Sequence, residues 1–306
     1  MKTRIKSVLL WPATLAFLLM FAGSAMAANP LPVFVSVVPQ KYFVQQIGKD
    51  LVDVQVMVQP GASPATYEPK PRQMALLSKA RLYFAIGVPF ENAWLEKIAA
   101  ASPAMTVVHT EQGIKKLAMA AHHHDEDEGD EHHGEDHDAE EHEHGGLDPH
   151  IWLSPALVKV QSATVLAALK TADPAHAAQY EANFKGFMDQ IDALDADLRQ
   201  VFAGKEGLQF MVFHPAWGYF AQAYGLKQVP IEIEGKDPKP AQLGELISHA
   251  KENGIRVIFA QPQFSTKSAK VVATSINGQV AYADPLAEDW MGNLRLVADS
   301  FKAALR

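Results

Sequence analysis

Between His122 and His144 the chain reads HHHDEDEGDEHHGEDHDAEEHEH. Eight of these residues are histidine (His122, His123, His124, His132, His133, His137, His142 and His144) and twelve are Asp or Glu. Both side-chain types ligate divalent cations, and imidazole is mostly neutral at pH 7 because its free pKa is ~6.5. A single alanine is its only apolar residue, so the stretch cannot bury enough surface to offset the entropy of ordering it. The composition therefore predicts a mobile loop over residues 119–146. A tight site needs few ligands on rigid elements. The stretch reads either as a weak, multivalent antechamber for a site elsewhere or as a solvated acidic spacer that meets metal incidentally.

In open α/β sheets ligands gather beyond the carboxyl ends of the strands, which singles out His214 and Asp284, with His150 in a turn as a third candidate. His214 follows the apolar run LQFMVF, Asp284 follows QVAYA, and His150 lies in GGLDPHIWLSP, where an Asp-Pro turn would present its ring. Asp148 stands two residues before His150, where it could accept from the imidazole N–H. Taken singly, each has a structural alternative: a satisfied core histidine, a turn cap, a histidine buried in a turn. Together, two imidazoles and a carboxylate without thiolate suit Zn²⁺. The chain has no cysteine, so disulfides are excluded and any zinc must be held by His and carboxylate. His109, His176 and His249 read as structural or surface residues, and Trp94, Trp152, Trp217 and Tyr219 as packing.

The elements that would position these groups follow an α/β rhythm. Residues 33–109 alternate short β-branched runs (VFVSVV, LVDVQVMV, RLYFAIG, MTVVH) with helical segments, which predicts a parallel sheet flanked by helices. The rhythm returns after residue 204 with LQFMVF, KQVPIEI, IRVIFA and QVAYA. Between the two lies a run without internal proline over 173–202, opened by Asp173 and Pro174. Its apolar residues Tyr180, Phe184, Phe187, Ile191, Leu194 and Leu198 step by three or four, so one long helix with a buried stripe is expected. The fold class is α/β, two lobes joined by a rigid helix. The expected divisions are a signal peptide at 1–27, an N-terminal lobe at 28–172, a linking helix at 173–203 and a C-terminal lobe at 204–306. The signal peptide is read from the basic head Lys2, Arg4 and Lys6, the apolar run Val8 to Phe21 and the cleavage site Ala25-Met26-Ala27. It predicts export to a periplasm without a membrane anchor, as a monomer. Without the twelve acidic groups of the histidine-rich stretch and the three leader cations, the net charge of −8 becomes about +1. Nothing resembles a nucleic-acid footprint.

The segments GASPATYEPKP, GGLDPHIWLSP, FHPAWGYF, FAQPQFSTK and AYADPL, in this order, resemble the ZnuA-type zinc-binding solute receptors of ABC importers over essentially the whole mature chain. The resemblance implies two lobes bridged by a rigid helix. It also implies zinc held in the cleft by His150, His214 and Asp284 as transported ligand, and delivery to an inner-membrane permease. His214 stands where manganese-selective relatives carry a carboxylate, which favours zinc. One departure stands out. Where the family pattern has its first histidine ligand, this chain has Ala65, between Gly61 and Tyr67. A tetrahedral ion then keeps an open position, to be filled by water, by a histidine of the 122–144 stretch, or by Glu68. Three ligands plus water is also the layout of a zinc hydrolase, although no H-E-x-x-H helix is present. A periplasmic zinc buffer or chaperone is the remaining alternative to a non-enzymatic import receptor.

Overall fold

The computed structural model describes residues 29–119, 146–233 and 235–304. The expected signal peptide and all eight histidines of the 122–144 stretch lie outside them. In the first lobe β1 (Leu31–Val35), α1 (Val38–Gly48), β2 (Val52–Val56), α2 (Pro71–Leu77), β3 (Leu82–Ala85), α3 (Pro89–Ala101) and β4 (Thr106–His109) build a four-stranded parallel sheet in the order β2-β1-β3-β4. Two helices follow, α4 (Pro155–Ala172) and α5 (Ala177–Phe202). The second lobe repeats the pattern with β5 (Gln209–Val212), α6 (Gly218–Ala223), β6 (Lys227–Pro230), α7 (Pro240–Glu252), β7 (Val257–Ala260), α8 (Lys267–Ser275) and β8 (Gln279–Tyr282), closed by α9 (Trp290–Ala304). Its parallel sheet has the equivalent order β6-β5-β7-β8.

Local chemistry explains the elements. The central strands LYFA and VIFA are buried at every position, as expected where helices cover both faces of a parallel sheet. Proline opens α2, α3, α4 and α7, where its missing N–H costs nothing and its fixed φ suits the first turn. The 26-residue α5 buries Tyr180, Phe187, Ile191, Leu194, Leu198 and Phe202 along one stripe, with Phe184 half-buried. It starts later than the sequence pattern suggests, because Pro174–His176 form a 3₁₀ turn. The Asp173 carboxylate is engaged by side chains instead of capping the backbone: Tyr180 Oη and His176 Nδ1 each reach Oδ2 at 2.7 Å.

The two lobes share their core. One buried cluster runs from Val33 and Phe43 of the first lobe through α5 to Phe210, Phe259 and Phe301 of the second, and a smaller cluster around Ile231, Ile258 and Val272 lies within the second lobe alone. Helix α5 packs on α1, α4 and α9. Trp152 and Trp290, both buried, tie the lobes further: Trp152 Nε1 donates to the Pro285 carbonyl at 2.7 Å, and Trp290 Nε1 donates to the Trp152 carbonyl at 2.7 Å. Such an interface opposes a free hinge.

Candidate metal centre

In a 2-1-3-4 strand order the chain changes direction between the first and third strands, leaving a crevice at their carboxyl ends. The two lobes fill this crevice differently. In the first lobe Glu91, buried from α3, accepts from Ser36 Oγ beyond β1 and from the Ile86 and Gly87 N–H groups beyond β3, the last at 2.7 Å. Burial raises its carboxyl pKa against the pull of these hydrogen bonds. In the second lobe His214 beyond β5 and Gln261 beyond β7 clasp each other. The His214 N–H donates to Gln261 Oε1 at 2.7 Å, and Gln261 Nε2 donates to the His214 carbonyl at 2.9 Å. This clasp fixes the backbone from which the imidazole projects.

His150 meets that imidazole from the other lobe, with ring centroids 5.2 Å apart and planes at 69°. Each ring is held through Nδ1 by a buried carboxylate: His150 by Asp148 Oδ1 at 2.7 Å, His214 by Glu232 Oε1 at 2.7 Å. With a carboxylate as partner Nδ1 carries the proton and Nε2 keeps its lone pair, the tautomer a metal ligand needs. Asp148 Oδ1 also accepts the His150 backbone N–H at 2.8 Å. Aromatic rings flank the pair, Trp152 edge-on to His150 at 5.1 Å and Phe264 stacked on His214 at 5.1 Å. Burial depresses the His150 pKa; Asp148 opposes the shift without cancelling it. The ring is therefore neutral and ready to ligate at pH 7.

The spacing can be tested against an ion. With Zn–N of ~2.0–2.1 Å, ring nitrogens ~1.1 Å from their centroids and a tetrahedral angle, two imidazoles on one zinc have centroids about 5.2 Å apart. The observed separation equals that value. Two imidazoles at this spacing, each backed by a carboxylate, suit two of the coordination positions of Zn²⁺.

A cavity of ≈ 60 Å³ adjoins both rings, lined by Ser63, Pro64, Ala65, Val88, Pro89, Met119, Pro149, Gln263, Phe264, Pro285 and Leu286 besides the histidines. Ala65 thus sits on the cleft wall. Glu68 is exposed and absent from that lining. Asp284, just beyond β8, is engaged through Oδ1 by Gln263 Nε2 at 2.7 Å and by the Leu286 N–H at 2.9 Å. Its neighbours Pro285 and Leu286 line the cavity, yet among the described residues no three His, Asp or Glu side chains stand where they could hold one ion. The structure brings His150 and His214 together and leaves Asp284 hydrogen-bonded alongside.

The remaining histidines are apart from this place. His109 is exposed and bonded to Glu111 Oε1 at 2.8 Å, His176 is paired with Asp173, and His249 is exposed beside Gln209. Trp152, Trp217 and Tyr219 are buried, and Trp94 is half-buried under Lys97. Tyr219 also does more than pack. Its hydroxyl accepts the Leu117 N–H at 2.9 Å and donates to the Asp148 carbonyl at 2.8 Å, a clasp between lobes beside His150. Burial pushes its phenol up to about 12. Glu232 is the functional residue missed by sequence reasoning. It follows β6, a place that the strand-end rule covers, but the expected strand ran on to residue 233 and hid it. The strand ends at Pro230, after which Ile231 and Glu232 turn inward to donate to the Val212 and Phe213 carbonyls.

Residues 33–304 match the family described as zinc-uptake complex component A, periplasmic. The chain belongs to this family. Among its relatives, the high-affinity zinc uptake system protein ZnuA of Bacillus subtilis (strain 168) is 32 % identical over 263 residues, covering 84 % of this chain and 79 % of that protein. The ZnuA of Brucella abortus (strain 2308) is 30 % identical over 296 residues, 89 % of this chain and 88 % of its own. A crystal structure of ZnuA superposes with a TM-score of 0.80 at 41 % identity, covering 91 % of this chain and 100 % of that one. A ZnuA deletion mutant with zinc bound gives 0.78, also at 41 % identity, over 90 % and 98 %. The family is named for a zinc-uptake component, not for an enzyme, and the two-lobe α/β architecture is that of its ZnuA members.

Proposed function

We propose that this family member is a periplasmic receptor that captures Zn²⁺ between its lobes and delivers it to an ABC permease, without catalysis. The observation that carries the reading is the His150–His214 pair, set at the spacing of two imidazoles on one zinc and backed at both Nδ1 atoms by carboxylates. Asp284 is the third ligand in this reading: Gln263 Nε2 and the Leu286 N–H both engage its Oδ1, which leaves Oδ2 for the ion. The position beside Ala65 stays open to water, so the site is weaker and faster to release than one with four protein ligands. The histidines of residues 122–144 act as an antechamber that raises the local zinc concentration.

Division into lobes at 28–172 and 204–306 with a linking segment at 173–203 is supported by the two sheets, which fall wholly on either side of α5. Among the described residues no helix is long and apolar enough to cross a membrane.

The test is zinc affinity by competition with a chromophoric chelator, for the parent and for His150→Ala, His214→Ala and Asp284→Ala. Loss of either imidazole should weaken the cleft site by at least about a hundredfold, since each supplies one of three protein bonds to the ion. Unchanged affinity in both histidine variants would remove the cleft from zinc binding. A zinc-dependent turnover of simple esters would instead revive the hydrolase alternative.

A further inference from the structure

The open side of the metal centre is shaped for something other than bulk water. Its cavity measures ≈ 60 Å³, whereas ~10–15 Å³ of such space suffices for one water molecule. There is room for an ion and roughly three to five further heavy atoms. Facing the two rings, the walls are apolar: Pro64, Ala65, Val88, Pro89 and Leu286. They offer little to a hydrated cation and suit a flat, uncharged group. Two polar side chains line the same cavity, Ser63, whose Oγ accepts the Ala65 N–H, and Gln263. Gln263 Oε1 is a buried acceptor without a hydrogen-bond partner, while its amide nitrogen is committed to Asp284. A buried acceptor left unmatched costs ~1–3 kcal/mol, so a ligand that brings an N–H to it is favoured over one that brings only oxygen lone pairs.

Resting on the zinc-receptor reading, we propose that the cleft takes zinc together with a small imidazole-bearing co-ligand, coordinated in the open position beside Ala65 and donating its second ring N–H to Gln263 Oε1. A neutral imidazole bonds the ion through one nitrogen and displaces a neutral water, so the charge of the site is unchanged. The other nitrogen carries the proton that the amide oxygen accepts. Ala65 is exposed at the rim, which gives the ring an entry from solvent. A carboxylate co-ligand would set its second oxygen against Gln263 Oε1, acceptor against acceptor, and would bury charge against proline and leucine.

The experiment titrates the full chain with Co²⁺, a spectroscopic stand-in for zinc, at 0 and about 10 mM imidazole, and repeats the series with 1-methylimidazole and with N-acetylhistidine methylamide. For a co-ligand of ~1 mM affinity, mass action tightens metal binding about tenfold at that concentration, with a change in the visible cobalt bands. The expected order is imidazole well ahead of 1-methylimidazole, which ligates but has no N–H. Enhancement by the blocked histidine as well would mark a histidine side chain as the source; enhancement by imidazole alone would mark a free small molecule. Ala65→Leu fills the cavity and Ala65→His supplies the ring in place, so both should abolish the enhancement. Comparing variants at equal imidazole cancels its binding to free metal, and circular dichroism verifies folding. Cobalt binding that depends on His150 and His214 but does not respond to imidazole would overturn the co-ligand and leave the receptor reading intact. An equal response to 1-methylimidazole would overturn the role of Gln263. Absence of cleft binding under every condition would instead sink the receptor reading itself.

Discussion

Gly218 offers a way to perturb the metal centre from the opposite lobe without touching a ligand. It opens α6, and a Cβ added there would lie 2.9 Å from Asp148 Oδ2 and 3.7 Å from Gln228 Nε2. Real Cβ atoms do not approach an oxygen that closely, so Gly218→Ala must push the Asp148 carboxylate by a few tenths of an ångström. Asp148 has little freedom to yield, being 2 % exposed, with Oδ1 holding both the backbone N–H and Nδ1 of His150 at 2.8 and 2.7 Å. Removing a partner of a ligating histidine typically costs 10–100-fold in metal affinity. Displacing one should cost the lower end, about tenfold or ~1.4 kcal/mol. The assay is zinc competition on Gly218→Ala, Asp148→Ala and the double variant. If the effect runs through Asp148, adding Gly218→Ala to Asp148→Ala should change affinity less than twofold, because the clash has lost its target. An affinity for Gly218→Ala within twofold of the parent, or additive losses in the double variant, would refute the reasoning.

Three further outcomes follow from the same structure. Trp290→Phe deletes the bond to the Trp152 carbonyl between lobes and leaves that buried oxygen unmatched, so urea unfolding should show a loss of ~1–3 kcal/mol; a loss below ~0.5 kcal/mol would deny the clasp a part in stability. Glu91→Ala orphans the Ile86 and Gly87 N–H groups and leaves Ser36 Oγ with Tyr83 Oη alone, and should cost about 3 kcal/mol, read as a fall in Tm. At Asp173, burial raises the carboxyl pKa, but the Tyr180 and His176 hydrogen bonds outweigh it and hold it below the usual range. The folded state then binds that proton less readily than the unfolded chain, so the stabilisation is present above the unfolded pKa of ~3.9 and vanishes as pH falls through the lower folded value. The Tm deficit of Asp173→Asn should accordingly be full at pH 7 and shrink as the pH falls below ~3.9; a pH-independent deficit would contradict the assignment.

Much of this was legible because periodicity reports burial directly. The α5 stripe and the runs LYFA and VIFA announce a helix packed on one side and strands covered on both. His214 was legible by topology, since ligands of α/β sheets gather at strand ends, His150 by the Asp-Pro turn that presents it, and Asp148 by its spacing of two from His150. What escaped was whatever depends on the lobes meeting. Nothing in the sequence of α6 shows that Gly218 lies against Asp148, or that the Tyr219 hydroxyl bridges Leu117 and Asp148 across more than seventy residues. The shared core escaped for the same reason: a periodic pattern tells that a helix face is buried, not that its partner belongs to another sheet. Glu232 was hidden by an overlong β6, which an edge strand ending in proline cannot sustain. Asp284 shows the limit of the strand-end rule. The rule finds the carboxylate, while the choice of Gln263 as its hydrogen-bond partner depends on side chains brought together only by the fold.

The central claim is that one ion binds to Nε2 of both His150 and His214. Anomalous diffraction at the zinc absorption edge, on crystals of the full chain loaded with one equivalent of zinc, tests it most directly. A single strong peak ~2.0–2.1 Å from each Nε2 is expected, with Asp284 Oδ2 as the third protein atom beside it. A peak located away from these two nitrogens, with none between them, would contradict it.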